Sequence, residues 1–136
     1  MFRAFRLIGA AIMLGWSFLP MAEALAFDLT GAWATHEDLC TQVFAKKDNN
    51  VGYAEFSELY GSGFIINGDR IRGRTGACTI KSKKEEGNRL ELSAACASSV
   101  MTQDLRFSLE IIDDNNMSRS FPEISGMSQN YTRCRL

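Results

Sequence analysis

From Phe27 onward, hydrophobic residues recur at every second position, and this period restricts the possible folds more than any other feature of the chain. Phe27, Leu29, Gly31 and Trp33 alternate with Asp28, Thr30, Ala32 and Ala34; Leu90, Leu92 and Ala94 alternate with Arg89, Glu91 and Ser93; Leu105, Phe107, Leu109 and Ile111 alternate with Arg106, Ser108 and Glu110. An extended chain sends successive side chains to opposite faces, so each run reads as a strand with one buried face. Turn formers separate the runs at Asn67-Gly68-Asp69, Glu86-Gly87-Asn88, Asp113-Asp114-Asn115-Asn116 and from Pro122 to Gly126. The expected strands cover 27–34, 51–57, 62–67, 70–83, 89–97, 104–112, 116–122 and 128–135. About eight short strands joined mostly by tight turns predict an all-β fold, a small up-and-down antiparallel barrel, with a β-sandwich as the alternative. One short helix is expected after the first strand: Thr35 can cap it, Asp38 stands at its third position, and Leu39, Cys40, Val43 and Phe44 share a face.

The first 26 residues follow a different rule. Arg3 and Arg6 form a positive start, Leu7 to Leu19 is an apolar run, and Pro20 leads into Ala24-Leu25-Ala26, the small-x-small pattern cut by a signal peptidase. The run is too short for a membrane span. A cleaved leader is therefore expected over 1–26, followed by a single domain over 27–136 that carries no transmembrane segment and works in the periplasm or outside the cell. That domain has 13 Lys+Arg against 15 Asp+Glu, a net charge of −2, which excludes a polybasic nucleic-acid arm or an acidic tail as its main theme. Its Leu, Ile, Val and Phe suffice for a core, but a chain of this size buries only about two-thirds of its unfolded surface and gains from covalent support.

Cys40, Cys78, Cys96 and Cys134 can supply that support, because an even number of cysteines after a secretory leader reads as two disulfides. Zinc sites bring their ligands in close pairs, whereas these cysteines stand 38, 18 and 38 positions apart and His36 is the only histidine, so no metal is expected. A hairpin turning through Lys84 to Arg89 places Cys78 opposite Ala95 or Cys96, which favours Cys78–Cys96 with Cys40–Cys134. Cys40–Cys78 with Cys96–Cys134 stays open as the alternative.

Gly31-Ala32-Trp33 at the end of the first strand, a short helix after it, an antiparallel meander, and Tyr131-Thr132-Arg133-Cys134-Arg135 in the last strand together resemble a small lipocalin-like, or calycin, barrel. The resemblance implies that Trp33 packs at the closed end with Arg133 or Arg135 lying across it, a structural cation–π pair. The chain also resembles the small exported proteins of Gram-negative bacteria, a resemblance that brings no activity with it.

Catalytic patterns are thin, and no enzyme is expected. A nucleophilic Ser or Cys needs a positioned base, and His36 stands in a polar helix start beside Glu37 and Asp38. The carboxylate pairs Glu85-Glu86 and Asp113-Asp114 fall in expected turns, where acidic residues serve the backbone. The segment from Asp48 does not fit a calcium loop, since the glycine arrives at the fifth position and Leu59 occupies the twelfth. No residue pattern asks for a cofactor.

Two features are candidates for binding. Arg70, Arg72, Arg74, Lys81, Lys83 and Lys84 form a basic stripe that can meet an anionic surface polymer or an acidic protein, or can be the solvated face of a half-buried strand answered across the sheet by Glu91. It lacks the interleaved aromatic residues of a nucleic-acid site, so no nucleic-acid partner is expected. Tyr53, Phe56, Tyr60 and Phe64, around Gly61-Ser62-Gly63, can line the mouth of a pocket or pack in the core between adjacent strands. The expected function is a lipocalin-like, non-enzymatic binding module for an unknown small apolar or amphipathic ligand, with a cavity beneath Trp33. The alternative is a protein-interaction module, such as an inhibitor of an envelope or host hydrolase, or a factor that binds anionic surface polymers.

Overall fold

The computed structural model describes residues 27–136; the leader expected over 1–26 lies outside the described residues. Ten strands run β1 Gly31–Ala34, β2 Phe44–Lys47, β3 Asn50–Tyr53, β4 Gly63–Asn67, β5 Arg70–Arg72, β6 Gly76–Glu86, β7 Arg89–Ser98, β8 Thr102–Asp113, β9 Asn116–Ser120 and β10 Ser128–Arg133. Eight of them close an antiparallel barrel in the order β1-β10-β9-β8-β7-β6-β5-β4, while β2 and β3 form a separate hairpin. The barrel rather than the sandwich is the architecture, and closure leaves it no free sheet edge.

Three expected strands are differently used, and the first, expected over 27–34, begins only at Gly31. The segment expected as a strand over 51–57 ends at Tyr53 and pairs with β2, whose first residue, Phe44, is expected on the helix face. The continuous strand expected over 70–83 is broken at 73–75 into β5 and β6, so the count of eight in the barrel is restored by a different segment. The hairpin turn is Asp48-Asn49, both at positive φ (50° and 65°), the geometry that matches the twist of a two-residue hairpin. The polar run that had been weighed as a calcium loop is therefore a backbone turn.

The helical stretch after β1 is shorter than its pattern suggests. A 3-10 turn, Glu37–Leu39, leads directly into a single α turn, α1 Cys40–Val43, and the capping position is His36 without a side-chain cap rather than Thr35. Seven residues cannot sustain a helix by themselves; packing holds this one. Cys40, Val43 and Phe44 are buried with Ala32, Ala34 and Ile65 in a small core on the outside of β1 and β4. The barrel core inside contains Leu29, Trp33, Ile66, Ile71, Leu90, Leu92, Leu109, Met117 and Tyr131. β1 is thus buried on both faces, with Trp33 inward and alanines outward. The alanines leave room for the helix and hairpin to lie close, and at Gly63 a Cβ would stand 2.6 Å from the Trp33 carbonyl and 2.8 Å from the Phe44 ring.

The two disulfides are Cys40–Cys134 and Cys78–Cys96. Cys78 and Cys96 stand directly opposite each other on β6 and β7. Cys40–Cys134 ties α1 to the residue after β10, fastening the outer layer to the barrel wall.

Residues 27–30 cross one end of the barrel and close it. Phe27 and Leu29 pack against the inner core, and the Trp33 indole N–H donates to the Leu29 carbonyl at 2.9 Å. Arg133 lies over Trp33, with its guanidinium 4.6 Å from the ring centroid, and donates to the carbonyls of Asp28 (2.7 Å), Thr30 and Asp114 (3.1 Å). Arg135 is exposed beyond the strand. Gly31 makes room for this arginine: at φ 149° it adopts a backbone that side chains disfavour, and a Cβ there would stand 3.2 Å from Arg133 Cγ.

Candidate functional site

The other end of the barrel is open. Because the strands are antiparallel and consecutive from β4 to β10, the loop before β4 (54–62) and the loops 73–75, 99–101 and 121–127 all fall at this end. From it a cavity of about 400 Å³ runs into the interior. Ser62, Gly63, Gly73, Gly76 and Phe121 rim it, and Phe64, Ile66, Ile71, Leu92, Phe107, Leu109 and Tyr131 form its walls. Phe64 and Tyr131 meet edge to face at 4.8 Å, an arrangement that suits the ring quadrupoles. The volume lies in the range of small-molecule pockets. Trp33 is not in the lining: it is fully buried among Leu29, Leu90 and Met117 in the inner core, so the cavity does not lie beneath it as expected.

One charged side chain enters this apolar space. In β9, Met117 points into the core, and Arg119, two positions on, takes the next inward place. Its guanidinium stands 4.5 Å from the centroid of Phe107 and 4.7 Å from that of Phe121, while its Nε is buried and has no hydrogen-bond partner. The two rings offset part of the cost of withdrawing a cation from water, but none of the ion pairs among the described residues includes Arg119. Among the described residues, no Asp, Glu or His lines the cavity. None of Phe107, Arg119, Phe121 and Tyr131 is among the pocket residues expected from the sequence. Met117, Arg119 and Phe121 nevertheless share one face of an alternating strand, and a lone arginine in an inward place was the available signal.

The four aromatic residues expected to line a pocket divide. Phe64 lines the cavity. Tyr53 is outside the barrel, packed on Phe44 at 5.4 Å, with its hydroxyl 3.0 Å from the carbonyls of both Gly63 and Arg72. Burial raises the Tyr53 hydroxyl's pKa, against an opposing pull from Arg74 and Arg72. Phe56 and Tyr60 are exposed at the mouth beside Leu59. Val100 and Met101 on the β7–β8 loop and Ile124 and Met127 on the β9–β10 loop are also exposed, so the open end carries an apolar collar that reaches 85% exposure at Val100.

The basic stripe is not a single surface. Arg70 and Arg72 flank the buried Ile71 and point outward, but Arg72 donates to the Val51 carbonyl at 2.6 Å. Arg74 lies 5.4 Å from the Tyr53 ring centroid and donates to Ser57 Oγ and the Gly61 carbonyl, each at 3.3 Å. These two arginines pin the hairpin and the 3-10 turn Ser57–Tyr60 to the barrel wall. A bulge between Ile80 and Ser82 reverses the alternation in β6, so Lys83 falls opposite the inward Leu92 while Lys84 falls opposite the outward Glu91. Lys81, Lys83 and Lys84 are answered by Asp104 (3.4 Å), Glu85 (3.8 Å) and Glu86 (3.2 Å), whereas Glu91 accepts a hydrogen bond from Ser108. A groove of about 540 Å³ lies under the hairpin beside Arg70 and Arg72. It is larger than the barrel cavity but is a solvent-facing crease with Asn49, Asn50, Asn67 and Thr30 in its walls.

Compared with protein-family models, curated proteins and solved structures, the chain matches none of them.

Proposed function

We propose that the protein is an exported, non-enzymatic binding module that holds a small apolar or amphipathic molecule inside its barrel, in the manner of lipocalin-like proteins. The observation that carries this reading is the cavity of about 400 Å³, walled by aliphatic and aromatic side chains and rimmed by Ser62, Gly63, Gly73 and Gly76. Export is supported by the two disulfides, which persist in oxidising compartments, and by the leader pattern of the first 26 residues. Binding rather than catalysis is supported by the lining, which offers neither a nucleophile with a base nor a pair of carboxylates. The outer arginines favour the interior over the basic stripe as the site, since Arg72 and Arg74 are already spent on holding the hairpin.

The test is titration with a neutral naphthylamine dye whose fluorescence rises in apolar surroundings, against the protein and an Ile71→Trp variant that fills the cavity from β5. Saturable binding to the protein and its loss in a variant with an unchanged circular dichroism spectrum are expected. Equal binding to both places the dye elsewhere and refutes the reading.

A further inference from the structure

We propose that Arg119 is the anchor for an acidic head group, so that the ligand class is a small amphipathic anion: one carboxylate or phosphate on an apolar body. The inference rests on the barrel cavity being the binding site and specifies what fills it. An arginine cannot shed its charge, and a cation in an apolar space is costly unless paired and hydrogen-bonded. Here it lies within 5 Å of the centroids of two phenyl rings, with Nε buried and without a hydrogen-bond partner among the described residues. A structural arginine looks different in this same molecule: Arg133 has its donors on three backbone carbonyls, and Arg72 and Arg74 also donate to backbone oxygens. Arg119 alone among these lines the barrel cavity, and its guanidinium makes neither a hydrogen bond nor an ion pair among the described residues.

The strand order supplies the rest of the ligand's shape. β9 lies across the ring from β5, whose inward residue is Ile71, flanked by Phe64 and Ile66 on β4 and the Cys78–Cys96 bridge on β6 and β7. An anion seated on the β8–β9 wall thus faces an apolar wall on the far side. The planar guanidinium can meet a carboxylate or phosphate with two parallel hydrogen bonds. Phe107 and Phe121 beside the guanidinium lower the local polarity, which strengthens such a pairing. A neutral ligand of the same body fills the same space but leaves the donor unused.

Isothermal titration of the full domain with decanoate, decyl phosphate and 1-decanol, repeated on Arg119→Met and Arg119→Lys, tests the proposal. Decanoate or decyl phosphate is expected to bind at least about 10-fold more tightly than the alcohol, the usual worth of a charge-assisted hydrogen bond. Whichever anion binds more tightly identifies the head group. Arg119→Met should erase that preference and leave alcohol binding within about 3-fold, while Arg119→Lys should keep part of it. Equal affinity for acid and alcohol, unchanged by Arg119→Met, overturns the anchor and leaves the cavity standing. Binding of none of the three overturns the anchor and the cavity reading together.

Discussion

The two disulfides should contribute unequally, and the inequality can be calculated. Cys40–Cys134 closes a loop with a sequence separation of 94, Cys78–Cys96 one of 18. If each acts by limiting the unfolded chain, the first is worth about 4.7 kcal/mol and the second about 3.2 kcal/mol at room temperature. Replacing each pair by alanines is a balanced comparison, because each bridge has one buried partner, Cys40 or Cys96, and one half-buried partner, so the lost packing nearly cancels. The paired variant Cys40→Ala/Cys134→Ala should therefore be less stable than Cys78→Ala/Cys96→Ala by about 1.5 kcal/mol. In urea, with a slope of about 1.5 kcal/mol/M for a domain of this size, that is a midpoint lower by about 1 M. Equilibrium unfolding followed by far-ultraviolet circular dichroism reads the difference. Equal midpoints, or a lower midpoint for the variant lacking the short loop, would refute loop entropy as the source of stabilisation.

Gly31→Ala should cost about 1–3 kcal/mol, because a side chain at φ 149° is strained and displaces Arg133 from its carbonyls; a thermal midpoint within a degree of the parent would contradict this. Tyr53→Phe should cost about 1 kcal/mol by removing the hydroxyl that reaches the Gly63 and Arg72 carbonyls, and limited proteolysis of the 44–60 region should speed up with it. The backbone N–H of Thr30, donating to Asp28 at 2.9 Å, together with the Thr30 side chain, lowers the Asp28 carboxyl below its ordinary 3.8. A depressed folded-state value means stabilisation that is complete above the unfolded value and fades as pH falls through the folded one. Asp28→Asn should accordingly flatten the loss of stability below about pH 4, and an acid unfolding curve identical to the parent's would exclude the contribution.

The period of two was enough to locate the barrel because β7, and the middle of β8, keep one face inside and one outside. The same signal misplaced the hairpin, since Val51 and Tyr53 alternate like barrel residues yet pack against the outer core with Phe44. Phe44 read as part of a helix face because the helix holding Cys40 and Val43 ends where the strand begins, and both elements bury the same cluster. A one-residue bulge at Lys81 was invisible in composition and turned Lys83 to the other side of the sheet, which dissolved the basic stripe. Arg119 was missed for a different reason. Its alternation with Met117 and Phe121 was the one signal in the sequence, and closure of the barrel is what shows that this face lies inside. The apolar collar depends in the same way on topology, since Phe56, Val100 and Ile124 are remote in sequence and meet at one end only because every second connection does.

The proposed ligand enters the barrel and not the outer groove. Amide chemical-shift mapping by nuclear magnetic resonance during titration with decanoate tests this directly. An interior site requires the largest shifts at Ile71, Phe107, Arg119, Phe121 and Tyr131, with little change at Asn49, Asn50 and Arg70. Shifts confined to the hairpin groove, or spread over the surface without saturation, would contradict it.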